Sequence, residues 1–338
     1  MCPSRQQIYK ALDNPQKALQ HFLFPPVMNA STFLTSRLGL GTNIFERDWD
    51  VHVILDCCRM DALKAVAHEY EFLSNVEHVW SVGGTSAEWM VHTFDKQWDT
   101  VLSNTAYVTS NAWAKRVIDD QLHPNKGFRH DDLLRLRRFG NCNVIRSERL
   151  GRLEHVWRYV SSEDKIHKHH DVSDELIAGG APPRYVTDRG IDIIRDGGHE
   201  RTILHYTQPH RPYLASGFFE SRDLREYETK PFAYLRGGGD YRTVWEAYLN
   251  DLRWVLDDVT ILLQNIEAET VVISADHGEA FGEYGVYGHS AGSVHPHVRR
   301  VPWVTTTATD TGSYSPKVTT SVDVETSAGE NLEALGYL

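Results

Sequence analysis

Cysteine is scarce in this chain. Its four copies, Cys2, Cys57, Cys58 and Cys142, fit neither a zinc ribbon nor a disulfide framework. Adjacent Cys57 and Cys58 are poorly placed to bridge to each other, so all four are expected as reduced thiols, which points to the cytoplasm. Long apolar runs are missing as well. No stretch approaches the ~20 residues needed to cross a bilayer, and the opening Met1-Cys2-Pro3-Ser4-Arg5-Gln6-Gln7 has no signal-peptide core. The expectation is a soluble, unexported protein with no membrane span. Basic clusters are also lacking. The formal charge is −11, and no dense Lys/Arg block stands against it, which disfavours nucleic acid and anionic membrane as partners. A locally positive or metal-lined cleft can still take an anion. Internal repeats and low-complexity tracts are absent.

What is present is enough for a sizeable core. The chain has 338 residues, 41% of them hydrophobic and 24% charged, an ordinary balance for a globular protein. Two acidic motifs carry the most information. Val51-His52-Val53-Ile54-Leu55 runs into Asp56-Cys57-Cys58-Arg59-Met60-Asp61, and Thr270-Val271-Val272-Ile273-Ser274-Ala275 runs into Asp276-His277-Gly278-Glu279. Short, β-branched, apolar runs read as strands buried on both faces, the pattern of a parallel sheet. Ligands of open α/β sheets bind beyond the carboxyl ends of such strands.

Further strands are predicted at 78–82, 105–109, 202–206 and 301–304, and helices at 61–68, 184–197 and 241–265. Residues 5–24 read as an amphipathic helix stopped by Pro25-Pro26, and 27–47 as a connector. The polar segment 115–180 reads as helices and loops forming a cap-like insertion, and 216–240 as a loop excursion. A terminal helix is expected over 325–338. The alternation of strands and helices implies an α/β fold, a mostly parallel sheet covered on both faces. The expected division is an N-terminal helix and connector over 1–47 and one α/β domain over 48–338.

Asp56, Asp276 and His277 are candidate ligands for a divalent cation, since two carboxylates and an imidazole leave positions open for substrate. Taken singly, each aspartate reads equally well as a cap on a helix or turn. Gly83-Gly84-Thr85-Ser86 reads as a strand-to-helix turn with a hydroxyl at the helix start. Thr85 or Ser86 is a candidate nucleophile, although an isolated Gly-Thr-Ser is more often an ordinary N-cap. His210 in Pro209-His210-Arg211-Pro212-Tyr213 and His289 in a glycine-rich loop are candidates for a second metal or for binding a transferred oxyanion. The plain alternative is a packing or surface histidine. Asn111, just past a strand, is a further oxyanion contact.

These motifs, in this order, resemble the sulfatase-like members of the alkaline phosphatase superfamily. The resemblance lies in Ser274-Ala275-Asp276-His277-Gly278-Glu279, Gly282-Glu283-Tyr284-Gly285, Gly288-His289 and Arg300-Val301-Pro302-Trp303. The segments Asp56–Asp61, Gln208–Tyr213 and Leu332–Leu338 add to it, and together they span roughly residues 48–338. The resemblance implies a three-layer α/β/α sandwich and a catalytic domain over 48–338. It makes Asp56, Asp276 and His277 metal ligands, puts Thr85 at the nucleophile, and places His210 and His289 at second-metal or oxyanion positions; Arg59 is a separate candidate substrate contact. The implied activity is metal-dependent hydrolysis or transfer of small-molecule or glycan phosphate or sulfate esters, with one or two divalent ions. Three positions depart from the pattern. No Cys/Ser-x-Pro-x-Arg is present, which argues against the formylglycine of true sulfatases. Cys57 replaces the second of a paired Asp-Asp and tilts the site from calcium toward zinc or manganese. Gln208 stands where an aspartate is common.

Two other readings compete. One is a family-like fold kept as an inactive binding protein. The other is a serine esterase using Ser290, because Gly288-His289-Ser290-Ala291-Gly292 matches the nucleophile-elbow pattern, though Pro296 follows where a helix should run. His167, His169, His170, His295 and His297 read as solvent-exposed histidines, Arg135–Arg138 as a solvated helix face, and Gly237-Gly238-Gly239 as a loop that follows no strand.

Overall fold

The computed structural model describes residues 24–38, 40–123, 131–160 and 181–318. Nine strands lie in this range: β1 Val51–Leu55, β2 Glu77–Trp80, β3 Thr105–Thr109, β4 Arg152–His155, β5 Arg201–Tyr206, β6 Ala268–Ser274, β7 Ala280–Phe281, β8 Tyr287–Gly288 and β9 Arg300–Ala308. Seven form one sheet in the order β2-β9-β6-β1-β5-β3-β4, and β7 and β8 form a separate small hairpin. β1 is central, paired in parallel with β5 and β6, and all five of its residues are buried. β3 and β4 continue the parallel half, while β9 runs antiparallel to β6 and β2 antiparallel to β9. The sheet is mostly parallel, as its apolar strand sequences imply.

Seven helices matter for the site: α1 Phe24–Leu38, α2 Met60–Val66, α3 Ser86–Thr93, α4 Asp131–Phe139, α5 Pro183–Asp196, α6 Pro231–Arg236 and α7 Tyr241–Leu263. Neighbouring residues of a strand point to opposite faces. On β5, Leu204 lies against Gly190 of α5, where an added Cβ would sit 2.8 Å from the leucine side chain. Next to it, His205 packs edge-on against Trp89 of α3, ring centroids 5.5 Å apart. α3 and α5 therefore cover opposite faces, and the molecule is a three-layer α/β/α sandwich. α7 joins α5 on one face. Its Asp240 cap accepts the Thr243 N–H, and Val244, Tyr248, Leu252, Val255, Val259 and Leu262 form its buried stripe.

Three local expectations change. Pro25-Pro26 lie in the first turn of α1, which runs on through the segment read as a connector. Proline suits the first turn, whose N–H groups have no intrahelical partner. The segment read as a connector is thus largely helix, and residues 5–23 lie outside the described range. Within the supposed cap, β4 pairs with β3 and extends the main sheet. The 216–240 excursion holds three short helices, the last of them α6. The predicted terminal helix, Cys2, and His167, His169 and His170 lie outside the described residues. Cys57, Cys58 and Cys142 are free thiols. Among the described residues, no helix is long and apolar enough to cross a membrane.

Candidate active site

The parallel strands point their carboxyl ends at one place. Asp56 directly follows β1, Asp276 and His277 follow β6, Asn111 follows β3, and Thr207–His210 follow β5. α3 aims its N-terminus at the same point. The turn before it is tight: a Cβ on Gly83 would fall 2.2 Å from the Trp89 backbone nitrogen, so only glycine fits. The Ser81 hydroxyl donates to the Asp276 carbonyl and accepts the Gly83 N–H, tying the two strand ends together.

At the centre, four side chains converge from three elements. Ser86 Oγ lies 3.3 Å from both Asp56 Oδ2 and His277 Nε2. His277 Nε2 lies 3.6 Å from Asp56 Oδ1 and 3.5 Å from Asp276 Oδ2. All four residues are buried. His277 Nδ1 sits 2.9 Å from the Gly278 carbonyl, which can only accept, so Nδ1 carries a proton and donates there while Nε2 faces the carboxylates. Asp276 Oδ1 accepts the His277 and Cys57 N–H groups. Asp56 Oδ2 accepts from Asn111 Nδ2 at 2.7 Å. That leaves Asp56 Oδ1 and Asp276 Oδ2, both buried, with no hydrogen-bond partner among the described residues.

Electrostatics sharpen the point. Burial, and then repulsion from Asp276, pushes the Asp56 carboxyl well above the usual carboxylate range. Asp276 is also buried, but His277 and His205 beside it hold it below that range. His205 was not singled out in the sequence. It stands inside β5, with Nε2 3.6 Å from Asp276 Oδ2 and Nδ1 2.8 Å from the Tyr107 hydroxyl. Its one sequence signal is an imidazole within an otherwise buried strand.

A second group of donors adjoins the first. His289 Nε2 lies 3.4 Å from His210 Nε2 and 3.6 Å from Glu279 Oε1, and the His277 and His289 rings are 4.4 Å apart. Burial, with Arg211 and His277 nearby, lowers His210 to about 3, so its ring is neutral at ordinary pH. Cys57 Sγ reaches within 3.6 Å of His277 Nδ1. Burial, with Glu279 and the two aspartates nearby, pushes this thiol well above its ordinary value and keeps it protonated. Cys57 also adopts a left-handed backbone (φ 64°), and Tyr248 braces the turn by donating to its carbonyl and accepting the Arg59 N–H.

Thr85 and Ser86 are told apart by their partners. The Thr85 hydroxyl accepts the Glu88 N–H at 3.1 Å and caps α3. The hydroxyl touching the acids and the imidazole belongs to Ser86, one residue on from the sequence expectation. Arg59 is likewise corrected. It grips Asp61 through two nitrogens, Glu283 at 2.7 Å and the Glu279 carbonyl, and so braces the 279–283 loop from a buried position. Asn111 orients Asp56, as described above. Ser290 follows a two-residue strand and precedes a turn, without the strand–serine–helix context of an elbow.

A cavity of about 340 Å³ opens over this centre, lined at its base by Asp56, Ser86, Asn111, His210 and His289. Its volume lies within the range of small-molecule sites.

No model of a known protein family matches the sequence, and no curated protein does. Solved structures do. The C-terminal periplasmic domain of a phosphoethanolamine transferase from Campylobacter jejuni is similar over 76% of this chain and 78% of its own, at 15% identity and a TM-score of 0.45. The lipoteichoic acid synthase LtaP from Listeria monocytogenes is similar over 76% of this chain and 66% of its own, at 11% identity and a TM-score of 0.37. The phosphonate monoester hydrolase of Agrobacterium radiobacter is similar over 77% of this chain and 68% of its own, at 11% identity and a TM-score of 0.32. These proteins are members of the alkaline phosphatase superfamily. The fold assignment rests on the sheet order and layers of this chain, and the chemistry on the residues of its site.

Proposed function

We propose that this protein is a metal-dependent hydrolase or transferase of phosphate or sulfate esters, with Ser86 as nucleophile. One observation carries the reading: Asp56, Asp276, His277 and Ser86 gather ligand-type atoms at one point, with Ser86 Oγ and His277 Nε2 each 3.3–3.6 Å from their neighbours in the group. Atoms held about 2.0–2.2 Å from a common tetrahedral ion are separated by about 3.3–3.6 Å. The buried carboxylate oxygens without hydrogen-bond partners and the inward-facing His277 Nε2 fit a divalent cation, and the mixed oxygen and nitrogen donors suit zinc or manganese.

Asp56, Asp276 and His277 would hold that ion, whose charge lowers the pKa of an adjacent hydroxyl and offsets charge on the reacting oxygens. The chain's own residues supply the rest. The α3 N-terminus holds Ser86 Oγ at the cavity base, where the helix dipole favours its anionic form. Its proton has an acceptor in Asp56 Oδ2. Oγ forms a bond to phosphorus or sulfur as the bond to the leaving oxygen breaks. His210 and His289 line the same cavity and would contact the non-bridging oxygens. Water, or an acceptor alcohol, then takes the group from Ser86 and restores its hydroxyl.

The test is turnover of p-nitrophenyl phosphate, bis-p-nitrophenyl phosphate and p-nitrophenyl sulfate by purified protein supplied with zinc or manganese. The reading expects turnover of at least one ester, abolished in Ser86→Ala. Turnover that survives Ser86→Ala contradicts the assignment of the nucleophile. Metal binding with no turnover of any ester favours the inactive binding protein.

A further inference from the structure

The cavity rim contrasts with the rest of the molecule. The chain carries a formal charge of −11, and the cavity base holds the Asp56 carboxylate, yet Arg211, Lys230 and Arg236 line the same cavity. Lys230 and Arg236 are exposed and have no ion-pair partner among the described residues. Asp132, the other acidic residue at the wall, is already paired with Arg135 at 2.5 Å.

The rim cations are also held in place. Arg236 lies over the Tyr287 ring, 4.8 Å from its centroid, and Arg211 over the Phe232 ring at 5.4 Å. Phe232 packs against Phe281 at 5.8 Å, so α6 is anchored to the hairpin that leads to His289. A guanidinium stacked on a ring covers its face and leaves its N–H edge directed outward, the geometry that grips carboxylate or phosphate oxygens. A reacting ester at the cavity base does not by itself account for cations at the opening.

We infer that the substrate carries a second anionic group beyond the reacting ester, a carboxylate or another phosphate, and that Lys230 and Arg236 bind it. This inference rests on the reading of the cavity as an ester-cleaving site. The substrate class is then a phosphate or sulfate ester whose leaving or accepting part is itself negatively charged. The rim selects it against neutral esters, and the chain's overall negative charge makes the rim the favoured approach for an anion.

Unreactive probes test this apart from catalysis. Calorimetric affinities are measured for phenylphosphonate and 4-phosphonobenzoate, which differ by one carboxylate, with zinc supplied. The inference expects 4-phosphonobenzoate to bind at least tenfold tighter to the wild-type protein. The preference should fall to near parity in the Lys230→Ala/Arg236→Ala double variant and persist in Arg236→Lys. Equal affinities in the wild type, no binding of either probe, or a preference that survives the double variant overturns it. Turnover of phenyl phosphate and 4-carboxyphenyl phosphate is measured in parallel. A binding preference without turnover of either ester sinks the catalytic reading and leaves the anion site standing.

Discussion

Thr85 and Ser86 are adjacent hydroxyls with different work, and single substitutions separate them. Ser86→Ala removes the atom facing Asp56 and His277, so kcat should fall by about a thousandfold or more while the folding midpoint barely moves. Thr85→Ala removes only the α3 cap and should cost about 1 kcal/mol of stability in urea denaturation, with a much smaller loss of kcat. The reverse pattern would restore Thr85 as the nucleophile. This distinction was not legible in the sequence. Either hydroxyl suits a helix start, and the cap is decided by which residue keeps extended backbone, here Thr85 with φ −149° and ψ 158°. Asp56, Asp276 and His277 could be singled out as a candidate group because they lie just past the ends of apolar strands. His205 was not, since its side chain reaches the site from within a strand rather than from a strand end.

At the scale of elements, two buried carboxylates hold the site's parts together. Glu88 Oε2 accepts the N–H groups of Gly84 and Gly292, its Oε1 accepts the Thr35 hydroxyl of α1, and buried Arg299 lies 3.7 Å away. It thus joins the Ser86 turn to the loop carrying His289. Glu88→Ala leaves Arg299 buried without its counter-charge and should cost about 3–5 kcal/mol. Glu88→Gln keeps acceptors for both N–H groups and should retain more of kcat than Glu88→Ala. Equal losses in the two variants would show that the loop link has no catalytic consequence. Asp251 of α7 accepts the N–H groups of Leu214 and Ala215, just past the His210 loop. Burial raises its pKa to about 8. The folded state therefore binds a proton that the unfolded state has released between about pH 4 and pH 8, and stability falls as pH rises through that window. Urea titrations should show the wild type losing up to about 1.4 kcal/mol per pH unit relative to Asp251→Asn there. A flat difference would contradict it. The elements themselves were read well where local pattern decides, as in β1, β3, α5 and α7. They were misread where context decides. Pro25-Pro26 suit a helix start as well as a stop, and β4, in a polar segment, becomes a strand by pairing with the edge of β3.

For the whole molecule, the sequence carried the fold class but not the strand order. The neighbours of β1 are β5 and β6, from the far half of the chain, and only folding brings Asp56 beside Asp276. Charge acts at this scale too. An anionic ester guided by Lys230 and Arg236 should show kcat/KM falling as salt rises, whereas dominance of the chain's net negative charge would make it rise. The central claim is that the ends of β1 and β6 and the start of α3 enclose one cation. Its most direct test is a crystal structure of zinc-supplied protein with anomalous diffraction recorded at the zinc edge. The account predicts a peak bounded by Asp56, Asp276, His277 and Ser86, absent in Asp276→Ala. No peak among these residues, or one that persists undiminished in Asp276→Ala, would contradict it.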